Sequence, residues 1–489
     1  MKFSELLTEA GVACRRRGHD ADVTDVHTDS RRCAPGTCFV AVRGPVRDGH
    51  AFIPQAVEAG AACVVCEDAA GVPEGVPVAS VTDSRQAAGP LAQAVCGWPA
   101  RELTCVAVTG TNGKTTVAHL IRAVLAHAGH RPGLLGTIAY ETGGQAAPAT
   151  NTTPGPVELA ELTAEMVEAG RTHLVMETSS HALDQRRTAG VAFAAGVFTN
   201  LSGDHLDYHG TMDAYAAAKR RLFEDLPATA VAVINRDDPA GETMAAATSA
   251  RVCWFGLSSA ADVWARIEEI DATGSRLLLR DGDSEVGVAT PLIGRHNVLN
   301  CLAAAAACRG LGVGLPEIAE ALSGVAAVPG RLARVAAEAP FQVFVDYAHT
   351  DDALRNVLAA LQPIEHRRLI LVFGCGGDRD RAKRPRMARV AQDMADRLWI
   401  TSDNPRSEDP QAIIEEIVAG LDESGRSRAT VEPDRRTAIG RAVAEAEPGD
   451  VILIAGKGHE TYQQIGSRRV HFDDMEVAAA ALRSAGVLP

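Results

Sequence analysis

Residues 106–121 read VAVTGTNGKTTVAHLI: an apolar run, a glycine-rich loop carrying a lysine and two threonines, and then a helical pattern. In such a loop, glycines let backbone N–H groups point at phosphate oxygens, and the following helix N-terminus adds partial positive charge. Lys114 can bridge the terminal phosphates, and Thr115 can present a hydroxyl to Mg²⁺. Residues 110–116 therefore predict binding of ATP or GTP and leave the reaction open. A turn that merely joins strand and helix is disfavoured, since every part of the motif occurs in order.

Further side chains suited to metal or phosphate chemistry follow downstream. Glu177 ends an apolar run in VMETSSHALDQRR. A carboxylate there could hold Mg²⁺ beside a nucleotide, although a glutamate at such a position is more often a helix cap or a surface charge. A later run leads into a segment crowded with Asp204, His205, Asp207 and His209. Zinc is a rival to Mg²⁺ here, but no cysteine accompanies these residues and their spacing fits no zinc motif, which favours an oxygen-rich Mg²⁺ site. Lys219 is followed by two arginines, and locally this pattern indicates a solvated basic face.

The composition restricts the class of protein. A chain of 489 residues with 46% hydrophobic and 22% charged residues suits a globular enzyme of about three domains. Its net charge of -14 argues against a nucleic-acid partner. The start MKFSELLTEAG does not resemble a signal peptide, and no apolar run is long enough to span a membrane, so we expect a cytoplasmic protein. Eleven cysteines suit a reducing compartment, and Cys63 and Cys66 are expected to pack in a core rather than bind metal.

Two breaks, at residues 97–99 and 328–330, divide the chain into pieces of residues 1–100, 101–329 and 330–489. Short apolar runs alternate with helical patterns in the second and third pieces, which predicts an α/β fold with parallel sheets. The runs in the third piece are FQVFVDYAHT, LILVFGCGGD, RLWITSDNP and DVILIAGKGHE. Each of them ends in a polar or glycine-rich loop, and these four loops should converge on a ligand site.

Motifs in all three pieces resemble one family. They are GTNGKTT, METSSHALDQRR, TNLSGDHLDYHGTMDAYAAAK, GRHNVLNCLAA, VPGRL, FVDYAHT, GDRDRAKRP, SDNPR and GKGHETYQ. In this order they closely resemble the Mur ligases, the ATP-dependent amide-forming enzymes of peptidoglycan synthesis. The general phosphate-loop motif has a glycine where this chain has Val108, and the family uses the same shortened loop. The resemblance implies a P-loop ATPase-type sheet in the central domain, a Rossmann-like C-terminal domain and an N-terminal α/β domain that binds UDP.

The resemblance also implies a reaction and assigns residues to it. The γ-phosphate of ATP activates a substrate carboxylate as an acyl phosphate, which an amine then displaces. The implied ATP-binding residues are Gly110, Thr111, Asn112, Gly113, Lys114, Thr115, Thr116, Asn297, Arg331, Asp346, Tyr347 and His349. The implied Mg²⁺ ligands are Thr115, Glu177 and His205, and the implied catalytic residues are Lys114, His205 and Lys219, the last of these carbamylated to N6-carboxylysine.

The residues themselves bear on the role of Asn297 and on the loop that follows His349. Asn297 and Asn300 are one helical turn apart, so a single helix face could present both amides to adenine. Helix capping is the usual role of such asparagines, and the resemblance favours Asn297 over Asn300 at the nucleotide. Asp351 occupies a position where the family often has proline, so the loop after FVDYAHT departs slightly from the family pattern.

The N-terminal piece resembles that of the Mur ligase that completes a tripeptide. This implies that Ser30 and the loop of residues 44–50 contact the UDP end of a UDP-N-acetylmuramoyl dipeptide. The muramoyl peptide would contact Thr152, Thr153, Ser179 and Arg187. Diaminopimelate, the third amino acid, would contact Arg379, Asp403, Asn404, Pro405, Arg406, Gly456 and Glu460.

Arg406 supports diaminopimelate on physical grounds, because a guanidinium can bind its second carboxylate through two hydrogen bonds. Lysine-adding members of the family usually lack that arginine. The stereoisomer stays open, and LL-diaminopimelate or lysine, a sibling Mur ligase and a noncatalytic nucleotide-binding regulator are the alternatives. The regulator would not need Glu177, His205 and Lys219 together. We expect a monomer.

Overall fold

The computed structural model describes residues 1–44, 47–335 and 339–487. In the first part of the chain, strands β1–β5 form a sheet in the order β1-β5-β4-β3-β2, with β1 antiparallel and the others parallel. The strands are β1 (Arg15–Arg17), β2 (Asp25–His27), β3 (Thr37–Val40), β4 (Cys63–Cys66) and β5 (Val78–Ser80). The helices are α1 (Phe3–Glu9), α2 (Ile53–Glu58) and α3 (Ser84–Val95). Cys63 and Cys66 are fully buried at the two ends of β4, so the prediction that they pack in a core is confirmed.

The middle part of the chain forms a larger sheet in the order β16-β15-β14-β13-β12-β11-β6-β10-β7-β8-β9. Its strands are β6 (Thr104–Thr109), β7 (Pro132–Leu135), β8 (Ala139–Glu141), β9 (Ala147–Pro148), β10 (His173–Glu177), β11 (Phe193–Phe198), β12 (Val231–Asn235), β13 (Arg251–Gly256), β14 (Val263–Asp271), β15 (Gly274–Asp281) and β16 (Ser284–Thr290). The predicted runs at β6, β10, β11 and β12 are parallel neighbours, whereas β15 and β16 extend the sheet antiparallel.

The helices of the middle part cover this sheet. They are α4 (Lys114–His127), α5 (Pro156–Glu168), α6 (Ser180–Asp184), α7 (Leu206–His209), α8 (Met212–Glu224), α9 (Gly241–Ala245), α10 (Arg295–Gly310) and α11 (Leu315–Ser323). Helix α10 is nearly all buried, because its run of alanines packs closely against α4 and the sheet. Val108 is fully buried in β6, beside Glu177 of β10, so the residue that departs from the general phosphate-loop motif is a core strand residue.

The last part of the chain forms a sheet in the order β17-β18-β22-β19-β20-β21, parallel except for β17. The strands are β17 (Ala333–Arg334), β18 (Gln342–Asp346), β19 (Leu369–Phe373), β20 (Arg397–Ile400), β21 (Ala429–Val431) and β22 (Val451–Ala455), followed by the hairpin β23 (Tyr462–Ile465) and β24 (Arg468–His471). The helices are α12 (Asp351–Leu361), α13 (Lys383–Met394), α14 (Pro410–Val418), α15 (Glu423–Ser427), α16 (Arg435–Ala444) and α17 (Asp474–Ser484).

The α/β fold class expected from the sequence is confirmed, with a separate sheet in each part. We propose that the domains span residues 1–100, 101–329 and 330–489, with one of these sheets in each. Among the described residues, no helix is both long and apolar enough to cross a membrane.

Candidate active site

The phosphate loop connects β6 to α4, as its sequence predicts. Gly113 caps α4 with a φ of 86°, a left-handed conformation that favours glycine. The Nζ atom of Lys114 donates hydrogen bonds to the carbonyls of Gly110 (3.0 Å) and Thr111 (2.9 Å). Burial lowers the pKa of Lys114. The lysine is therefore held directly over the loop, where it can contact a terminal phosphate.

Thr115 and Glu177 are in direct contact at the start of α4. Thr115 Oγ1 donates to Glu177 Oε2 at 3.0 Å, and the same carboxylate accepts from the backbone N–H (2.8 Å) and the hydroxyl (3.0 Å) of Thr137. Glu177 is only 1% exposed, so it lies inside the site and is neither a helix cap nor a surface charge. A buried carboxylate beside a hydroxyl is a donor set that suits Mg²⁺. Thr137 was not predicted, because it lies 40 residues before Glu177 in an ordinary turn.

His205 lies at the N-terminus of α7 with a left-handed φ of 54°. Its Nε2 is 3.4 Å from Asp204 Oδ2, and burial lowers the pKa of His205 to about 3. The imidazole is therefore neutral near neutral pH, the form that can ligate a metal. Within the described residues, however, no three His, Cys, Asp or Glu side chains are grouped closely enough to hold a metal ion by themselves.

Lys219 is fully buried on α8 and reaches the phosphate loop. Its Nζ donates to the carbonyl of Gly110 at 2.8 Å and lies 4.3 Å from the centre of the Tyr215 ring. Burial, together with the charge of Lys114, lowers the pKa of Lys219 well below its usual range. The solvated basic face that its local sequence indicates is therefore wrong for Lys219, although Arg220 beside it is exposed.

The C-terminal part of the chain contributes Arg331 to this site. Its Nη2 donates to Thr115 Oγ1 at 2.8 Å, and its guanidinium lies 4.7 Å from the centre of the Tyr347 ring. Tyr347 in turn lies 5.0 Å from His459, centre to centre. Asp346 is buried and accepts from the backbone N–H groups of Leu332 (2.6 Å) and Ala348 (2.7 Å), and burial raises its pKa. Burial lowers the pKa of His349 to about 4.

Helix α10 places Asn297 and Asn300 beside the loop, but their amides bond to protein. Asn297 donates to the carbonyl of Ile293 (2.9 Å) and accepts from Asn300 (3.0 Å). Both residues also line the cavity beside the phosphate loop, and the contact of Asn297 with a nucleotide stays a prediction.

The helix that follows His349 contributes a contact that the sequence did not predict. Asp352 Oδ2 accepts from Asn112 Nδ2 (2.8 Å) and from Ser202 Oγ (2.7 Å). Asp351 is the first residue of α12 and pairs with Arg386 Nε at 3.2 Å. A carboxylate and a proline are both favourable in the first helical turn, so the departure from the family pattern leaves this helix start intact.

Four side chains predicted to bind the muramoyl peptide gather next to Glu177. Thr152 Oγ1 is hydrogen-bonded to Thr137 Oγ1 at 3.1 Å, and Thr153 donates to the carbonyl of Glu177 at 2.9 Å. Ser179 donates its N–H to Thr153 Oγ1 (3.0 Å), and Arg187 donates to the carbonyl of Thr153 (3.0 Å).

The residues predicted for the UDP end lie in the first part of the chain. Ser30 is buried in a 3-10 helix, Ser30–Arg32, where its hydroxyl donates to Gln55 Oε1 at 3.0 Å. In the loop of residues 44–50, positions 45 and 46 lie outside the described residues, so the predicted contact of that loop is described only in part.

The predicted amino-acid site lies at the ends of β19, β20 and β22. Asn404 Nδ2 donates to Glu460 Oε2 at 2.7 Å, and Asp403 is buried beside Gly456. Arg406 has a left-handed φ of 52°, and its Nη1 donates to the carbonyl of Gly377 at 2.6 Å. Strained non-glycine conformations cluster at functional sites, which agrees with a ligand role for Arg406.

Two further predicted residues and one missed residue complete this region. Pro405 is buried, whereas Arg379 is exposed and donates to the carbonyl of Asp378 at 3.4 Å. Lys457, which the sequence reasoning did not single out, lies buried among Asp403, Asn404 and Glu460. Its position inside the GKGHE motif is the signal that could have found it. As predicted, the loops after β18, β19, β20 and β22 converge at one edge of the C-terminal sheet.

A cavity of about 480 Å³ joins the nucleotide and peptide residues. Its lining includes Asn112, Lys114, Thr115, Thr152, Glu177, Ser179, His205, Arg331, Tyr347 and His349. Residues from both the middle and the C-terminal part of the chain therefore face one space.

Comparison with known proteins identifies the class to which this fold and site belong. Three family models match: the Mur ligase family catalytic domain over residues 22–95, the Mur ligase middle domain over residues 108–308, and the Mur ligase glutamate ligase domain over residues 330–458. The chain belongs to the Mur ligase family.

Named relatives cover almost the whole chain. It is 46% identical, over 99% of this chain and 98% of the relative, to a UDP-N-acetylmuramoyl-L-alanyl-D-glutamate–2,6-diaminopimelate ligase of Gloeobacter violaceus. It is 44% identical to the protein of that name from Geobacillus thermodenitrificans, over 99% of both chains. A solved structure of a ligase with this name superposes with a TM-score of 0.68 at 34% identity, over 95% of each chain.

Proposed function

We propose that this chain is an ATP-dependent ligase that joins meso-2,6-diaminopimelate to the γ-carboxylate of D-Glu in UDP-N-acetylmuramoyl-L-Ala-D-Glu, for peptidoglycan synthesis. The observation that supports this proposal most is that one cavity is lined by the phosphate loop, by Thr152 and Ser179, and by Arg331. Residues predicted to bind ATP, including Arg331, and residues predicted to bind the muramoyl peptide therefore line one space. We further propose that the reaction takes place in the cytoplasm on a monomer.

The first step is phosphoryl transfer to a carboxylate. A γ-carboxylate oxygen of D-Glu attacks the γ-phosphorus, the bond to the bridging oxygen breaks, and ADP leaves, which gives an acyl phosphate. Lys114 lies where it can neutralise the terminal phosphates, and Arg331 can move from Thr115 Oγ1 to a phosphate oxygen. Thr115, Glu177 and His205 would hold Mg²⁺, which supplies charge neutralisation to the triphosphate when bound.

The second step forms the amide. An unprotonated amino group of diaminopimelate attacks the acyl carbon, the nitrogen loses one proton to phosphate or solvent, and the tetrahedral intermediate expels inorganic phosphate. Exclusion of water protects the acyl phosphate from hydrolysis, and the C-terminal residues Arg331 and Asp352 close the cavity against the phosphate loop.

We propose that Lys219 is carbamylated. Burial lowers the pKa of this amine well below its usual range, which favours the neutral form, and a neutral amine is the form that adds CO₂. The carbamate would place an anion beside the phosphate loop, where Lys219 contacts the carbonyl of Gly110. Protein labelled with ¹³C-bicarbonate should show a carbamate carbon signal that Lys219→Ala lacks and the exposed-site control Arg220→Ala retains. An identical signal in both variants would contradict the carbamylation of Lys219.

The proposed function is tested with purified protein, ATP, Mg²⁺ and UDP-N-acetylmuramoyl-L-Ala-D-Glu. Meso-diaminopimelate, LL-diaminopimelate and lysine are added separately, and phosphate release and product mass are measured. We expect turnover and the tripeptide product with meso-diaminopimelate. Turnover with lysine and none with either diaminopimelate would overturn the substrate assignment.

A further inference from the structure

Lys457 lies two residues beyond the end of β22, and its side chain is fully buried. Its Nζ is 3.3 Å from Asp403 Oδ1, 3.1 Å from Asn404 Oδ1 and 3.2 Å from Glu460 Oε2. All three acceptors belong to the proposed amino-acid site. One buried cation therefore contacts two carboxylates and the amide between them.

The neighbouring bonds define how each of these groups is oriented. Asn404 Oδ1 accepts from the backbone N–H of Gln464 at 2.9 Å, so its Nδ2 points at Glu460 and donates at 2.7 Å. Gln463 Nε2 donates to the carbonyl of Asp403 at 2.7 Å, so the hairpin that begins at Tyr462 supports the same loop. Glu460 is thus fixed by both Asn404 and Lys457.

The charges of this cluster leave one negative charge in excess. Asp403 and Glu460 would repel each other if they were buried alone, and a buried unpaired charge is costly. With Lys457 between them, two carboxylates and one ammonium carry a net charge of about -1. A ligand with one further ammonium would complete the neutralisation, and diaminopimelate has such a group on its distal carbon.

We propose that Lys457 is a positioning residue that holds Glu460 in the conformation that binds the distal ammonium of the amino-acid substrate, and thereby sets the preference for a diamino acid. This inference rests on the proposed function.

Other groups around Glu460 would influence its protonation. Burial raises the pKa of Glu460, the charge of Asp403 raises it further, and Lys457 and Asn404 lower it. Other ionisable groups whose charges interact with Glu460 are Tyr347, Tyr462 and Arg435. Arg435 is already paired with Asp474, so Lys457 is the cation that contacts Glu460 directly. Loss of Lys457 should raise the pKa of Glu460, so that the carboxylate becomes protonated at a higher pH.

The experiment compares Lys457→Met and Lys457→Gln with the wild type, using the full-length protein and meso-diaminopimelate. Loss of a charged hydrogen bond predicts a rise of about tenfold or more in the KM for diaminopimelate, with the KM for ATP within about twofold. The rise should be larger at low pH than at high pH, because loss of Lys457 raises the pKa of Glu460 and favours its protonated form. Gln can still donate hydrogen bonds but carries no charge, so Lys457→Gln should be affected less than Lys457→Met. Arg469→Met, on the neighbouring hairpin strand, is the control and should keep both KM values.

Equal changes in the two KM values, or a rise that does not depend on pH, would overturn the role of Lys457 while wild-type turnover upholds the proposed function. Absence of wild-type turnover with diaminopimelate would instead reject the proposed function. If neither Lys457 variant folds, 2-aminopimelate, which lacks the distal amine, provides the test on the wild type. Its KM should exceed that of diaminopimelate by about tenfold or more, and equal values would contradict the charge requirement.

Discussion

Thr115 shows how one hydroxyl group links two parts of the chain. It donates to Glu177 (3.0 Å) and accepts from Arg331 (2.8 Å), which lies 216 residues away in the sequence. The hydroxyl has one proton and two lone pairs, so it satisfies both partners at once. The hydroxyl of Thr115, a proposed Mg²⁺ ligand, is therefore hydrogen-bonded to Arg331, which can move to a phosphate oxygen when a triphosphate binds.

At Arg406, the guanidinium donates to the carbonyl of Gly377 and is only partly buried. We predict that Arg406→Ala raises the KM for diaminopimelate by about tenfold or more, because a bidentate contact to the distal carboxylate is lost. The KM for ATP should be unaffected. Steady-state kinetics with each substrate varied in turn makes the measurement, and equal effects on both KM values would count against this role.

Single residues are also where sequence reasoning was least complete. It predicted Thr115 and Glu177, because their positions next to strands are typical of a nucleotide site. The local sequence did not indicate that Lys219 is buried, since its burial depends on the packing of α8 against the phosphate loop. It could not show that Asn297 and Asn300 bond to each other, because a helical repeat gives the face of a side chain and not its partner.

The parallel strands were predicted better than the contacts of single residues, because a buried parallel strand has a continuous apolar run in the sequence. All four runs in the C-terminal part became neighbouring parallel strands, and their loops converge on Asp403, Lys457 and Tyr347. The antiparallel extension of β15 and β16 was missed. Its strands expose one face, and their mixed polar sequence resembles that of a loop region.

The left-handed conformation of Gly113 at the start of α4 can be tested by substitution. A Cβ atom on Gly113 would meet Asn300 Oδ1, whereas one on Gly129, which also has a positive φ of 84°, would meet open space. We predict that Gly129→Ala costs about 1–2 kcal/mol of stability through backbone strain and leaves the KM for ATP unchanged. Gly113→Ala should cost at least as much and raise the KM for ATP.

Urea unfolding and steady-state kinetics on the two glycine variants make this comparison. If Gly113→Ala behaves as Gly129→Ala in both measurements, the cap geometry is not needed for nucleotide binding.

Across the whole molecule, buried histidines connect folding to pH. Burial lowers the pKa of several described histidines, including His119, His173, His205, His296, His349 and His459. These groups are neutral in the folded chain, whereas in the unfolded chain they take up protons near pH 6.5. Their contribution to stability is therefore complete above about pH 6.5 and decreases as the pH falls towards about 4.

We predict that the free energy of unfolding falls between about pH 7 and pH 5, and that His173→Gln reduces this dependence, because burial lowers the pKa of His173 to about 4. The exposed His19→Gln variant should follow the wild type. Urea unfolding at several pH values measures the effect. A His173→Gln curve parallel to that of the wild type would contradict the prediction.

The most direct test of the account follows one oxygen atom. UDP-N-acetylmuramoyl-L-Ala-D-Glu labelled with ¹⁸O in the γ-carboxylate is incubated with the protein, ATP, Mg²⁺ and meso-diaminopimelate, and the released phosphate is analysed by mass spectrometry. An acyl phosphate requires that one labelled oxygen leaves with each phosphate that accompanies a new amide bond. Amide formation with unlabelled phosphate would contradict activation of the carboxylate by the γ-phosphate of ATP.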